Sequence, residues 1–160
     1  MGKDHHHAIP KSRAPRAPRP NSYRVVHTDW WGPYGTLGPN QERFIQVFID
    51  EASGYVCTFF SHDKAQGASN LKMFCAHLEE ICNHPVKVRL VQSDSDAVYV
   101  HGDFNKFCDA EGIVQRFSAP YSQQQNGRSE RYWRTMETHC TAMFAYFGLS
   151  LHLWPYAVQY

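Results

Sequence analysis

His27-Thr28-Asp29-Trp30-Trp31-Gly32-Pro33 sets a carboxylate where a strand would normally carry an apolar side chain. The residues leading into it, from Tyr23, are rich in β-formers, so Tyr23 to Trp30 is expected to be a first strand holding Asp29 near its end. A carboxylate drawn into a core is costly unless it is paired or bound to a cation. Asp29 is therefore the first residue to account for.

Downstream the pattern continues as alternating elements. Arg43 to Asp50 reads as a second strand, Glu51-Ala52-Ser53-Gly54 as a tight turn, and Tyr55 to Ser61 as a third strand, which makes an antiparallel hairpin. From Ala65 to Asn83, Leu71, Phe74, Cys75, Leu78, Ile81 and Cys82 recur at helical spacing, with Asn83-His84-Pro85 as the stop. Val86 to Val91 is a fourth strand, with Asp94 just beyond it. Gly102 to Glu111 is a short helix presenting Phe104, Phe107 and Cys108, stopped by Gly112, and Ile113 to Phe117 is a fifth strand. A polar loop is expected over Ser118 to Gly127. A long helix follows, with Trp133, Met136, Cys140, Met143, Phe144 and Phe147 facing the core and Glu130 in its first turn. A last helix starts near Ser150.

The 160 residues suit one domain with a tail, and 42% hydrophobic and 14% aromatic content is enough to build a core. No apolar run is long enough to cross a membrane, and no secretory signal or membrane partner is expected. Five cysteines without a Cys-x-x-Cys pair lie in apolar stretches and read as reduced core residues of an intracellular protein. Residues 1–24 hold six cations against Asp4 alone, a net charge of +5, which leaves −4 for the rest. Residues 1–21, with Pro10, Pro15, Pro18 and Pro20, read as a basic arm or linker before a core over 22–160. Such an arm suits a polyanion, and equally a solvated linker.

Asp29, Asp94 and Glu130 are far apart in sequence, with 35 residues between the last two. Carboxylates from distant elements can converge on two divalent cations, an arrangement that moves phosphoryl groups in line. Singly, each also fits a turn, a cap or a surface; Glu130 would complement a helix N-terminus. Gln123, Gln124, Gln125, Asn126 and Gly127, with Arg128, Arg131 and Arg134, are candidate DNA contacts, since amides and cations meet phosphates. A polar loop and a charged helix face is the plainer account of the same residues.

Several stretches in order resemble the integrase catalytic core of copia-type LTR retrotransposons. His27 to Pro33 is similar to H-x-D-x-x-G-P, and Phe48 to Tyr55 to the F-I-D-D-x-S-R-Y hairpin. Gln92-Ser93-Asp94 is similar to R-S-D, Gly112-Ile113 to the family's G-I, and Tyr121 to Arg131 to Y-T-P-Q-Q-N-G-V-A-E-R. Leu153 to Val158 resembles F-W-x-E-A-V. The resemblance implies an α/β, ribonuclease H-like five-stranded mixed sheet flanked by helices. It also implies a metal-dependent DNA integrase, with Asp29, Asp94 and Glu130 as catalytic ligands of two Mg²⁺ (or Mn²⁺). DNA ends and target DNA would be its substrates, a homodimer or higher multimer its working form, and the nucleus or a virus-like particle its place. After Asp94 the family's N-G-G-E is replaced by Ser95-Asp96-Ala97-Val98, which makes Asp96 an alternative ligand. The family's upstream and downstream segments are not matched, so the core reads as C-terminally truncated. A catalytically inactive nucleic-acid-binding remnant and a hydrolytic nuclease of the same fold are the competing readings.

Overall fold

In a computed structural model of the chain, residues 24–118 and 123–159 are described, the side chains of 123–128 excepted. The expected arm lies outside them. Strands β1 (Arg24–Trp31), β2 (Phe44–Asp50) and β3 (Val56–Ser61) form an antiparallel meander. Strands β4 (Val88–Ser93) and β5 (Val114–Phe117) join the other side of β1 in parallel, giving the order β3-β2-β1-β4-β5. Helices α1 (Gly67–Cys82), α2 (Ala97–Val100), α3 (Asp103–Glu111), α4 (Gln123–Phe147) and α5 (Trp154–Gln159) flank the sheet. This is the expected ribonuclease H-like α/β architecture with a mixed five-stranded sheet.

Alternation along β2 divides the core in two. Phe48 faces one side, where it packs with Leu71, Phe74 and Leu78 of α1, Tyr99 of α2, and Phe104 and Cys108 of α3. Ile45, Val47 and Ile49 face the other side, against Trp133, Met136 and Cys140 of α4 and Trp154 and Ala157 of α5. Successive side chains point to opposite faces, so a strand covered on both sides carries apolar residues at consecutive positions, as Val47, Phe48 and Ile49 do. Each fully buried Leu or Phe here stabilises the fold by about 1.5–3 kcal/mol.

Gly32 shows why the turn after β1 takes glycine. Its φ is +121°, and a Cβ there would lie 2.6 Å from the Arg43 carbonyl oxygen. That carbonyl also accepts from the Tyr34 N–H at 2.7 Å, so the chain crosses β2 too closely for any side chain.

The structure differs from the expected pattern in a few places. Strand β1 continues to Trp31, and β4 is displaced to end at Ser93. Helix α2 has no counterpart in the sequence reading, because four residues are too few to show a period. Ile81 and Phe147, expected in the core, are 58% and 64% exposed. Both lie at helix ends; α4, at 25 residues, is about 37 Å long and overshoots strands of eight residues or fewer. The long helix also begins at Gln123, so Gln123 to Gly127 are helical in place of the expected loop, glutamine being a good helix former. Glu130 consequently lies in the third turn of α4 and not the first.

Candidate active site

Strand pairing brings the two aspartates together. The parallel register sets Val26 beside Val91 and His27 beside Gln92. Asp94 directly follows the end of β4, and its charge acts on the Asp29 carboxyl, so the two carboxylates lie near one another. Asp29 and Trp31 point to the α4 side of the sheet, while Val26 and Trp30 pack with the α1 side.

The Asp29 carboxylate is held at both oxygens. Oδ1 accepts from the Trp30 backbone N–H at 2.8 Å, and Oδ2 accepts from the Trp133 indole Nε1–H at 3.0 Å. Burial pushes its pKa up to about 6, the Trp133 hydrogen bond opposes that, and the negative charge of Asp94 raises it further. Asp94 is half-buried, and its Oδ1 accepts from the Asp96 N–H at 3.2 Å. Two neighbouring carboxylates, one of them largely buried, raise the electrostatic cost of keeping both ionised.

Lys64 is the cation that lowers the Asp29 pKa, but its ammonium is engaged elsewhere. It forms an ion pair with Asp96 at 2.5 Å and lies 5.9 Å from the Phe44 ring centroid. The Lys64 hydrogen bond in turn holds the Asp96 pKa below the usual carboxylate range. Asp96 also caps α2, accepting from the Val98 N–H at 3.4 Å. These two tasks commit Asp96 to structure and leave Asp94 as the carboxylate beside Asp29.

Behind the pair, a buried polar network fixes the strands. Thr28 Oγ1 lies 3.4 Å from the Tyr99 hydroxyl and accepts from Gln46 Nε2 at 3.3 Å, while Asn70 Nδ2 donates to Gln46 Oε1 at 2.9 Å. Gln115 Nε2 donates to the Tyr99 carbonyl at 2.8 Å. Burial raises the Tyr99 phenol well above its ordinary pKa, so the hydroxyl stays protonated and tethers α2, which follows Asp94, to β1.

Glu130 is exposed on α4, three residues before Trp133, as are Arg131 and Arg134. Among the described residues no group of three or more His, Cys, Asp or Glu side chains stands in a metal-holding arrangement. The structure thus joins Asp29 to Asp94 and sets Glu130 on the helix that touches Asp29. Arg134 is one turn beyond Glu130 on the same side of α4, and Arg131 faces farther out. The side chains of Gln123, Gln124, Gln125, Asn126 and Arg128 lie outside the described residues.

Sequence reasoning missed Lys64 and read Trp133 only as core. A lysine in a connection leaves no mark in sequence, whereas Trp133 stands at the spacing of a helical neighbour of Glu130. Other motif residues serve packing. Asp50 is buried, pairs with Arg24 and accepts from the Ser53 N–H at 2.9 Å. Trp154 is 1% exposed, donates to the Thr36 carbonyl at 2.9 Å and stacks on Tyr34.

Among the described residues no helix is long and apolar enough to cross a membrane. No protein-family model matches the chain. It is 28% identical over 144 residues, 88% of its length, to the Transposon Ty1-NL2 and Ty1-LR3 Gag-Pol polyproteins of Saccharomyces cerevisiae, and it spans 8% of their length. Among solved structures, it matches a chain of the simian T-cell lymphotropic virus intasome in complex with PP2A regulatory subunit B56 gamma. That match has a TM-score of 0.64 and 21% identity over 97% of this chain and 53% of that chain. The catalytic core domain of BIV integrase matches with a TM-score of 0.55 and 17% identity, over 86% of this chain and 82% of that one. The chain is therefore similar in sequence to copia-type retrotransposon polyproteins, and its fold is the ribonuclease H-like fold of integrase catalytic cores.

Proposed function

We propose that this chain is a retroelement integrase core that binds DNA and catalyses phosphodiester transfer, trimming DNA ends and joining them to target DNA. The observation that carries the reading is the pair of neighbouring carboxylates, Asp29 within β1 and Asp94, whose charge acts on Asp29, just past the adjacent parallel strand β4. Their donors are hard oxygens, the kind that suit Mg²⁺ or Mn²⁺, and each Asp29 oxygen keeps a lone pair beyond its N–H partner. Asp29 and Asp94 would hold the ions, with Glu130 as the third ligand supplied from α4. Two such ions, when bound, activate a water or a 3′-hydroxyl and stabilise the leaving oxygen, so no protein nucleophile is needed.

The remaining roles follow from charge and placement. Gln123, Gln124, Gln125, Asn126, Gly127 and Arg128 open α4, and Arg131 and Arg134 continue it, so this end of the helix would meet DNA phosphates near Glu130. The basic residues of 1–21 would add sequence-tolerant affinity beside a core over 22–160. A multimer in the nucleus or a virus-like particle completes this reading.

A second reading, a folded DNA-binding remnant without catalysis, is favoured by the lack of a three-ligand group among the described residues. Titration of Mg²⁺ and Mn²⁺ into the chain with DNA present, compared with Asp94→Asn by calorimetry, separates the two. Two ions in the parent and fewer in the variant, followed by Mn²⁺-dependent joining, is the expected result. Identical titrations would leave the remnant.

A further inference from the structure

We infer that Trp133 is a positioning residue for the Asp29 carboxylate and couples the turn of α4 that carries Glu130 to the metal site. This rests on the reading of Asp29 and Asp94 as cation ligands. Residues 29 and 133 are brought together by the tertiary fold alone, and the indole Nε1–H donates to Asp29 Oδ2 at 3.0 Å. The ring itself is 8% exposed and stacks against Trp31, two residues along β1, with centroids 6.1 Å apart and planes inclined by 22°. The indole is thus fixed on its flat face by packing and at its edge by the carboxylate.

Chemistry suits the task. An indole N–H donates only, and it neither accepts nor titrates over the working range of pH. With the Trp30 N–H on the other oxygen, Asp29 has one donor per oxygen, which fixes the plane of the carboxylate and leaves one lone pair on each atom. Outer partners of this kind orient ligands, and losing one commonly costs 10–100-fold in metal affinity. Trp133 also sets the rotation of α4. Residues three apart are neighbours on a helix, so docking Trp133 on Asp29 brings the turn bearing Glu130 alongside the same cleft. A buried indole N–H needs an acceptor, and here that acceptor is the Asp29 carboxylate of the site itself.

The test uses the full chain and Trp133→Phe, which keeps an aromatic ring on Trp31 and removes the N–H. Mn²⁺ affinity is measured by calorimetry with DNA present, beside thermal melting and the ¹⁵N–¹H resonance of the Trp133 indole. The expected result is a loss of Mn²⁺ affinity of about 10-fold or more in Trp133→Phe with a melting midpoint near that of the parent. The parent indole resonance should move on adding Mg²⁺ and in Asp29→Asn, and stay in place in Asp96→Asn. Equal Mn²⁺ affinity in parent and Trp133→Phe, with Asp29→Asn weakened, would overturn the role of Trp133 alone. A parent that binds no ion, or binds it as well as Asp29→Asn does, would overturn the site and the coupling together. Should Trp133→Phe melt early, the resonance decides: an indole signal unmoved by Mg²⁺ rejects the proposal.

Discussion

Lys64, in the turn before α1, is tied by an ion pair to Asp96, the residue that caps α2. The pair and the cap already engage both Asp96 oxygens, which favours Asp94 over Asp96 as the ligand in the proposed site. Asp96→Asn is expected to lower stability by about 1 kcal/mol through the lost pair and weakened cap, while divalent-ion binding persists. Asp94→Asn should do the opposite. Melting and calorimetry on both variants check this, and metal binding lost only in Asp96→Asn would reverse the assignment.

The raised pKa of Asp29 makes a pH prediction. Its native pKa is about 6 against an ordinary 3.8, so the native state binds the proton more tightly than the unfolded chain. Ionisation of this group therefore subtracts stability as pH rises from about 4 to about 6, with the full penalty present above that window. Two pKa units set an upper bound of about 3 kcal/mol, and relaxation brings the expected value nearer 1. Without divalent ions, Asp29→Asn should flatten the slope of stability between pH 4 and 6 and melt no earlier than the parent at pH 7.5. Denaturation series at fixed ionic strength measure it; an unchanged slope would refute the shift.

Arg24 and Asp50 form an ion pair in which both side chains are nearly inaccessible. Removing one partner leaves a buried charge, so Arg24→Met should cost about 3–5 kcal/mol. The double variant Arg24→Met, Asp50→Asn should recover part of that loss. Urea midpoints decide the matter, and equal losses in single and double variants would argue against a coupled pair.

At Gly32 a methyl group would collide first with the Arg43 backbone carbonyl, which no side-chain movement relieves. Gly32→Ala should destabilise by well over the ~1 kcal/mol typical of an ordinary Gly-to-Ala mismatch and open the turn after β1. Thermal melting and loss of amide protection at Tyr34, whose N–H reaches Arg43, would report it.

Deleting residues 1–21 removes Lys3, Lys11, Arg13, Arg16 and Arg19 with Asp4. If the arm meets DNA, weaker binding and a shallower dependence of log K on log salt should follow, by about 0.9 for each phosphate that the arm no longer neutralises. An unchanged slope would make the arm a linker.

How much was legible beforehand depended on whether the signal was local. The β1–β3 meander and α1 followed from period and turn chemistry, and Asp94 was correctly set just past β4. The alliance of Asp29 with Asp94 needed the parallel register, which no local pattern encodes. Phe147 misled because helical spacing shows which face is apolar but not how far the sheet beneath extends. Lys64 and Trp133 act through partners 32 and 104 residues away, so their roles were visible only once the chain had folded.

All four tryptophans, Trp30, Trp31, Trp133 and Trp154, line β1 or the helices docked beside its end. Trp133 and Trp31 stack, Trp31 meets Tyr34, and Tyr34 stacks on Trp154, so one aromatic column runs from Asp29 to α5. The intrinsic emission of this protein is thus a native optical probe of one small region. Ligation at Asp29, or a tilt of α4, is expected to register as a change in fluorescence without any attached dye.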